Sequence, residues 1–436
     1  MSDTFYHNLP NGVQIVHRKT HSPVVYVGLM IGAGTRHELP KENGMAHYIE
    51  HCVFKGTEHY TARQIINHIE GIGGEINAYT TKEETTFYAA TLRQHFRTTL
   101  HLLADMILRP TFHKKDTDKE VAVILDEIES YNDSPSELIY DDFENMIFEG
   151  SSLAMPILGS KKTLKYISKS PSIALDWMKQ HYRPERMVLF VLGNVTTQQV
   201  ISAATRELLS NSQYPIANSE ASHRQSPIAN SEASNSPQGV QYPIAAPAAS
   251  ISEASLTRLY RRHTHQTHVM LGSHAYPIGH PKQLTMYLLN NILGGGSMSS
   301  RLYLSLREKY GLVYNIDSQA VPLSDTGYWN IYLACEPQHK DQCLELCHKE
   351  LKQLRDTALT SSQLQRALRQ LEGQMAISAE NQENNALAMA KQMLYHHHAP
   401  AWQDTFARIQ TITPAQLQDV ANEVFAPEKI YTLLYD

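Results

Sequence analysis

The chain has 436 residues, more than one ordinary hydrophobic core organises, so two or more domains are expected. Hydrophobic residues make up 42% and charged residues 19%, a globular composition that excludes a largely disordered chain. The net charge of −6, without a long basic run, argues against a nucleic acid partner. No apolar run approaches the roughly 20 residues that span a bilayer, so no membrane partner is expected. The N-terminus lacks the pattern of a signal peptide, which predicts a cytoplasmic location.

The first half alternates short strand patterns with longer helical ones. Val-rich and alternating segments predict strands at 13–18, 24–31, 75–80, 85–91 and 186–192. Apolar residues at helical spacing predict helices at about 44–55, 61–71, 95–108, 113–131, 136–148 and 171–181. The dipeptide Gly73-Gly74 separates the second helix from the paired strands that follow it.

Residues 210–255 differ in composition from the rest of the chain. They are rich in Ser, Ala, Asn, Gln and Pro, and the string Pro-Ile-Ala-Asn-Ser-Glu-Ala-Ser occurs at 215–222 and again at 227–234. Such a segment cannot bury enough apolar surface to order itself. It is predicted to be a low-complexity, flexible linker that arose by local duplication, although the repeat could also be a ligand motif.

The order of elements then recurs. Strands are predicted at 267–275, 313–320, 326–335 and 430–435, and helices at 282–293, 299–309, 339–356 and 361–393. We therefore predict an α+β fold with two similar domains, each an antiparallel-rich mixed sheet packed against helices. The predicted boundaries are 1–209 for the first domain, 210–255 for the linker and 256–436 for the second domain.

Two groups of potential metal ligands are interpreted as structural. The four cysteines have no export signal beside them, so free thiols are expected, and Cys343, Leu346, Cys347 and Leu351 fall on one buried helical stripe. A run of three histidines at 396–398 precedes Ala-Pro and is typical of a solvated helix end.

A third group carries chemistry. Residues four apart on a helix lie one turn above the other, so His47 and His51 can point at one ion. Neutral imidazole is a good zinc ligand. Glu50 lies beside them on the same face, where it can reach water at a metal without itself ligating. A catalytic zinc site keeps three protein ligands and one open position, so a third ligand is required.

Residues 119–131 form an amphipathic helical pattern that offers this ligand. Glu120 and Glu127 are seven residues apart and share a face, on which Val123 and Ile124 lie between them. A carboxylate on a buried face needs a strong partner, and a metal would be one. The bare His-x-x-Glu-His string could also arise by chance on a solvated helix, because the chain has 23 histidines.

The wider context of these residues resembles a known family. His47-Tyr-Ile-Glu-His-Cys-Val-Phe-Lys-Gly-Thr57 resembles the inverted zinc motif of the pitrilysin/insulinase family, and most of all its mitochondrial-processing-peptidase-like branch. Further matches are Gly73–Thr80 to its edge-strand motif and Glu120–Glu127 to its third-ligand helix. In the second half, Gly294–Leu302 and Leu306–Tyr314 match its second-domain signature.

The resemblance implies a role for each matched residue. His47, His51 and Glu127 would bind one Zn²⁺ per chain, and Glu50 would be the general base. Glu120 would not bind the metal but would orient one of the histidine ligands. The same resemblance implies that Asn77 and Ala78 lie on an edge strand that pairs with substrate. It also implies that Arg307 and Tyr314 hold substrate carbonyls and stabilise the oxyanion.

The sequence thus predicts a zinc-dependent endopeptidase that hydrolyses short or unfolded polypeptides, acting as a homodimer. One alternative is a non-catalytic partner subunit of a peptidase complex, and another is a zinc-binding module without turnover. The retention of all three potential ligands and of Glu50 favours the enzyme over both alternatives. The presence of the Arg307–Tyr314 pair on the same chain favours a self-sufficient homodimer. The spacing of the residues leaves open whether that pair acts within one chain or across two.

Overall fold

The computed structural model describes residues 4–209, 255–262 and 264–436. The predicted linker therefore lies outside the described residues except for Ser255, whose backbone N–H donates to the carbonyl of Glu428. The proposed domain boundaries around that linker remain predictions.

The first half contains a six-stranded mixed sheet with the strand order β1-β2-β6-β3-β5-β4. Its strands are β1 Thr4–Asn8, β2 Gln14–Lys19, β3 Val24–Ile31, β4 Glu75–Thr80, β5 Thr85–Leu92 and β6 Met187–Gly193. Only β2 and β6 run parallel, and all other neighbours are antiparallel. The strand β4 lies at the edge, where it pairs with β5.

The second half repeats this sheet, and its described residues contain no strand equivalent to β1. Its strands are β7 Thr257–Tyr260, β8 Thr267–His274, β9 Val313–Pro322, β10 Gly327–Cys335 and β11 Tyr431–Tyr435. Their order is β7-β11-β8-β10-β9, with β7 and β11 parallel and the other pairs antiparallel. This order and these directions match β2-β6-β3-β5-β4, so the predicted duplication of one α+β domain is confirmed.

Fourteen α-helices cover these sheets in the part of the chain that the structure describes. Those of the first half are α1 Met45–Val53, α2 Ala62–Glu70, α3 Phe96–Leu108, α4 Lys114–Asn132, α5 Pro135–Ile147, α6 Lys161–Ile167, α7 Pro171–His181 and α8 Thr197–Ala204. Those of the second half are α9 Gln283–Leu293, α10 Lys340–Asp356, α11 Ser361–Glu380, α12 Gln382–His396, α13 Trp402–Ile409 and α14 Pro414–Val424.

The two halves are joined by an exchange of helices. The apolar face of α5, with Phe143 and Ile147, packs on the second sheet against Tyr328 and Leu433. In return, α12 of the second half packs on the first sheet, against residues of β2, β3 and β6. Because α5 and α12 occupy the same place in the duplicated order of elements, each domain covers its partner's sheet with the equivalent helix.

One predicted helix is wrong in its extent. The pattern over 361–393 predicts a single helix, but the chain leaves helical geometry at Asn381, which has φ −73° and ψ 104°. The Asn381 side chain then accepts a hydrogen bond from the N–H of Asn384 at 3.0 Å and caps α12. The break redirects α12 towards the first sheet, a destination that periodicity along one helix does not encode.

The residues interpreted as structural behave accordingly. All four cysteines are free and buried, and Cys343, Leu346, Cys347 and Leu351 line the buried side of α10. His396 is the last residue of α12, and His397 caps it in the left-handed region at φ 56°. Among the described helices, none combines the length and apolarity needed to cross a bilayer.

Candidate active site

The helix α1 carries the His-x-x-Glu-His motif and is held at its N-terminus by a buried carboxylate. Glu38 accepts hydrogen bonds from the backbone N–H groups of Gly44 at 2.8 Å and Ala46 at 2.7 Å. These are two of the N–H groups that the start of a helix leaves unpaired. Gly44 has φ +91°, and a Cβ there would lie 2.9 Å from the Cα of Gly159. The start of α1 is therefore fixed both by these hydrogen bonds and by close packing.

Three side chains converge next to this helix. His47 and His51 lie one turn apart with ring centroids 4.6 Å from each other, and α4 brings Glu127 against both. The distance from His47 Nε2 to Glu127 Oε1 is 3.7 Å, and that from His51 Nε2 to Glu127 Oε2 is 3.5 Å. Within the described ranges, these three residues form the one group of His, Cys, Asp or Glu side chains compact enough to hold a metal ion.

The protonation of these groups suits a cation between them. Burial, followed by the charge of His51, lowers the pKa of His47 to about 4, so this imidazole is neutral at pH 7. Burial also lowers the pKa of His51, but hydrogen bonds to Glu127 and Glu120 outweigh it and raise the pKa above its usual value. The hydrogen bond from His51 lowers the pKa of Glu127. The site thus attracts positive charge, and a metal would replace the proton on His51.

The other ring nitrogen of His51 has a partner of its own. His51 Nδ1 lies 3.3 Å from Glu120 Oε2, and the second oxygen of Glu120 is 2.8 Å from Lys55 Nζ. A carboxylate that accepts from Nδ1–H leaves Nε2 of the imidazole facing Glu127, which is the tautomer that a metal requires. Glu120 is thus placed to orient His51. Its contact with Lys55, two residues beyond the end of α1, was not predicted.

The face predicted for α4 needs one correction. Glu120 is 9% exposed, Ile124 is fully buried and Glu127 is 42% exposed, in line with a shared inward face. Val123, predicted to lie on that face, is 48% exposed. It precedes Ile124 by one residue, and the turn of about 100° between neighbours carries it towards solvent.

Glu50 stands beside the three convergent side chains in a different environment. Its Oε2 accepts a hydrogen bond from Thr80 Oγ1 at 2.6 Å, and burial raises its pKa despite that bond. Thr80 is the last residue of β4, and its contact with Glu50 was not predicted either. Glu50 is therefore a partly buried carboxylate that is poised to hold a proton more readily than an exposed one.

The edge strand β4 passes this site. Asn77 and Ala78 pair with Tyr88 and Phe87 of β5 on one side, and no other described strand pairs with β4. The α1 helix packs against β4, and Thr80 at the end of this strand contacts Glu50. An extended peptide could add to that edge through backbone hydrogen bonds.

Arg307 and Tyr314 contact each other but have no described contact with the three convergent side chains. The guanidinium carbon of Arg307 lies 4.9 Å from the Tyr303 ring centroid and 5.1 Å from that of Tyr314. Tyr314, at the start of β9, is 74% exposed. No hydrogen bond or ion pair between described residues connects this pair to His47, His51 or Glu127.

The donor set fits zinc. Ligand atoms about 2.0–2.1 Å from a tetrahedral ion lie roughly 3.4 Å from one another. The separations of 3.5 and 3.7 Å between Glu127 and the two histidines are close to that value. Two imidazoles and one carboxylate also leave a fourth position open, and the exposure of Glu127 shows that the site opens to solvent on that side.

Comparison with known proteins identifies the family. Residues 14–161 match the family described as "Insulinase (Peptidase family M16)", and residues 173–371 match "Peptidase M16 inactive domain". A relative described as an uncharacterized zinc protease, YmxG of Bacillus subtilis strain 168, is 30% identical over 97% of this chain and 96% of its own. The chain belongs to peptidase family M16. The resemblance inferred from its motifs is therefore confirmed.

Two further similar proteins agree with this result in sequence or in fold. The mitochondrial-processing peptidase subunit beta of Pongo abelii is 25% identical over 95% of this chain and 81% of its own length. The fold is that of a protease from Helicobacter pylori, with a TM-score of 0.84, 19% identity and coverage of 100% of this chain and 99% of that one. In the M16 chain described here, the three convergent side chains lie in the half that matches the insulinase description and not in the half described as inactive.

Proposed function

We propose that this chain is a zinc-dependent endopeptidase that cleaves short or unfolded polypeptides and binds one zinc ion through His47, His51 and Glu127. The observation that carries this proposal is the convergence of these three side chains beside a carboxylate, Glu50, that is not one of them. A purely structural zinc site has four protein ligands and no need for an adjacent free carboxylate. The relatives described as zinc proteases support the same activity.

The chain's own residues then divide the work. The chemistry that zinc supplies when bound is Lewis acidity, which polarises a peptide carbonyl and acidifies water. Glu50 takes the proton of the attacking water and delivers it to the leaving amine, a role suited to the raised pKa of its carboxyl group. Glu120 keeps the His51 ring oriented, and Lys55 holds Glu120 in turn.

Substrate positioning is assigned to two further places. A peptide strand pairs with the free edge of β4 near Asn77 and Ala78, which presents its backbone to the site. Arg307 grips substrate carbonyls, and the Tyr314 hydroxyl donates to the oxyanion, a contribution of about 2.7–4 kcal/mol for one such donor.

Turnover of a quenched fluorescent peptide tests the proposal. Purified protein is expected to cleave an unstructured peptide of about 20 residues, to lose this activity on treatment with a chelator, and to regain it with one equivalent of zinc. Mass spectrometry of the products should show internal cleavage. Zinc binding without cleavage would instead support the non-catalytic alternative, and chelator-resistant cleavage would contradict the role of the metal.

We further propose that the active unit is a homodimer. Tyr314 is largely exposed and has no described contact with the residues around Glu50, so the two sets can meet through a second copy of the chain. A two-fold dimer presents the same surfaces twice and would complete two equivalent sites. The relative from Pongo abelii is itself described as a subunit.

Mixed dimers distinguish action within a chain from action between chains. Co-expressed Glu50→Gln and Arg307→Ala chains are each expected to be nearly inactive as homodimers. If the pair acts across the interface, each mixed dimer has one complete site, and random pairing restores about a quarter of wild-type activity. Sedimentation should give about twice the chain mass of 49.3 kDa. No recovery on mixing would place the pair within one chain, and full activity of a strictly monomeric sample would contradict the dimer.

A further inference from the structure

The equivalent hairpins of the two halves meet at their tips. Residues 81–84 connect β4 to β5, and residues 323–326 connect β9 to β10. In both turns, the N–H of the first residue donates to the carbonyl of the last at 2.8 Å, from Thr81 to Glu84 and from Leu323 to Thr326. The duplicated fold therefore brings together two copies of one turn.

A buried ion cluster joins the tips. Glu83 accepts hydrogen bonds from Ser324 through its backbone N–H at 2.9 Å and its hydroxyl at 2.6 Å. Arg36 pairs with Glu83 and also donates to both carboxylate oxygens of Asp325, each at 2.9 Å. Arg36 and Glu83 are 3% and 5% exposed, so the contact is desolvated on the side of the first half.

The neighbours of Glu83 tie the same turn to the two exchanged helices. Lys82 lies 3.0 Å from Glu144 of α5. Glu84 accepts from Lys391 at 2.8 Å and from the Tyr395 hydroxyl at 2.6 Å, both on α12. Three consecutive buried side chains thus fasten one turn to three separate elements that pack across the domain boundary.

A buried ion cluster between two domains fixes their relative position more than it stabilises the fold. Desolvation of buried ions costs about as much as their attraction returns, and apolar side chains of similar volume often stabilise a fold as well. A two-pronged arginine–carboxylate contact, however, permits only one relative position of the groups that it joins. Here the two-pronged contact joins Arg36 to Asp325, and Arg36 also pairs with Glu83, so the β4–β5 hairpin is held against the β9–β10 turn through Arg36 as well as through Ser324.

The hairpin held in this way also contacts the proposed general base, Glu50. Thr80 immediately precedes the turn, pairs with Thr85 in the ladder and donates its hydroxyl hydrogen to Glu50 Oε2. The Thr85 hydroxyl is itself directed at the carbonyl of Ala33 at 2.9 Å. One oxygen of Glu50 is thereby held, and the other remains available for water.

We propose that Thr80 is a positioning residue that orients the carboxylate of Glu50. We further propose that the contact of Glu83 with Ser324, and through Arg36 with Asp325, fixes the turn from which Thr80 acts. This inference rests on the proposed function, in which Glu50 is the general base. The position of the second domain then affects the orientation of the Glu50 carboxylate, because the β4–β5 hairpin contacts both.

A hydroxyl series tests the first part. Thr80→Val keeps the branched shape but removes the donor, and it is expected to lower kcat about tenfold or more, with zinc content and KM unchanged. Thr80→Ser restores the hydroxyl and should stay within about threefold of wild type. Equal kcat values for the valine and serine variants would overturn the role of the hydroxyl.

A double-mutant cycle tests the second part. The paired change Ser324→Ala with Asp325→Asn leaves Arg36 paired with Glu83 and should lower kcat about threefold to tenfold. Combined with Thr80→Val it should add almost nothing, since the effect passes through Thr80. The coupling would be overturned if the fold-decreases in kcat from the paired change and from Thr80→Val multiplied in the combined variant. It would also be overturned if the paired change left kcat unchanged.

Amide exchange gives a readout that does not depend on activity. Residues 75–92 should exchange faster in the paired variant than in Asp419→Asn, a matched loss of an exposed charge on α14, and unchanged exchange would also contradict the coupling. Failure of this inference is distinguishable from failure of the proposed function. If the Glu50→Gln protein were fully active, the role of Glu50 as general base would be contradicted. If Glu50→Gln were inactive and Thr80→Val fully active, only the role of Thr80 would be contradicted.

Discussion

Replacement of Glu50 by glutamine is expected to lower kcat about 10²–10⁴-fold while zinc stays bound. The amide has nearly the same shape as the carboxylate but cannot take a proton from water. The three side chains that converge on the proposed ion do not include Glu50, so their geometry should persist. Zinc content by elemental analysis and kcat on a quenched peptide measure the two quantities separately.

The matched control is Glu70→Gln, which changes an exposed glutamate on α2 by the same chemistry and should leave both quantities unchanged. Loss of zinc from the Glu50→Gln protein would show that Glu50 is a ligand. Cleavage at the normal rate would show that another group is the base.

Replacement of Glu127 by glutamine is expected to weaken zinc binding more than about 100-fold, because the site loses one of three ligands and its negative charge. Loss of a residue behind a ligand typically costs about 10–100-fold, so Glu120→Gln should give a smaller decrease. Competition with a chromophoric chelator measures both affinities. The order wild type, Glu120→Gln, Glu127→Gln is the expected ranking.

Glu129→Gln serves as the control because Glu129 lies on the same helix and faces solvent. All variants should unfold at similar temperatures as metal-free proteins, since Glu127 is 42% exposed and contributes little packing. Zinc affinity of Glu127→Gln equal to that of Glu129→Gln would rule out Glu127 as the third ligand.

Much of the site could be predicted because its parts are local in sequence. His47 and His51 share a helical face by their spacing, and that face depends only on the geometry of one helix. Glu127 and Glu120 share the inward face of α4 for the same reason. Thr80 and Lys55 were missed as contacts, because a hydrogen bond from a strand end to a helix depends on how the two elements pack.

The fold divides in the same way. The repeated order of strands and helices predicts the duplication, since each half carries its own patterns of period 2 and 3.6. The exchange of α5 and α12 was not predictable. An amphipathic helix must bury its apolar face, but its sequence does not say which of two similar sheets will cover it. The break at Asn381, which frees α12 from α11, belongs to the same packing decision.

The amino-acid sequence by itself thus determined the family, the duplicated α+β architecture and the identity of the convergent histidine and glutamate side chains. The architecture and the paired histidines follow from spacing and periodicity, which act over one or two helical turns or one strand. The family and the choice of Glu127 as third ligand follow from the resemblance of the motifs. The tertiary structure alone decided that equivalent helices exchange sheets, that two equivalent turns meet at a buried ion cluster, and that Thr80 contacts Glu50. Such contacts join residues far apart in the chain, and their geometry depends on the simultaneous packing of both halves.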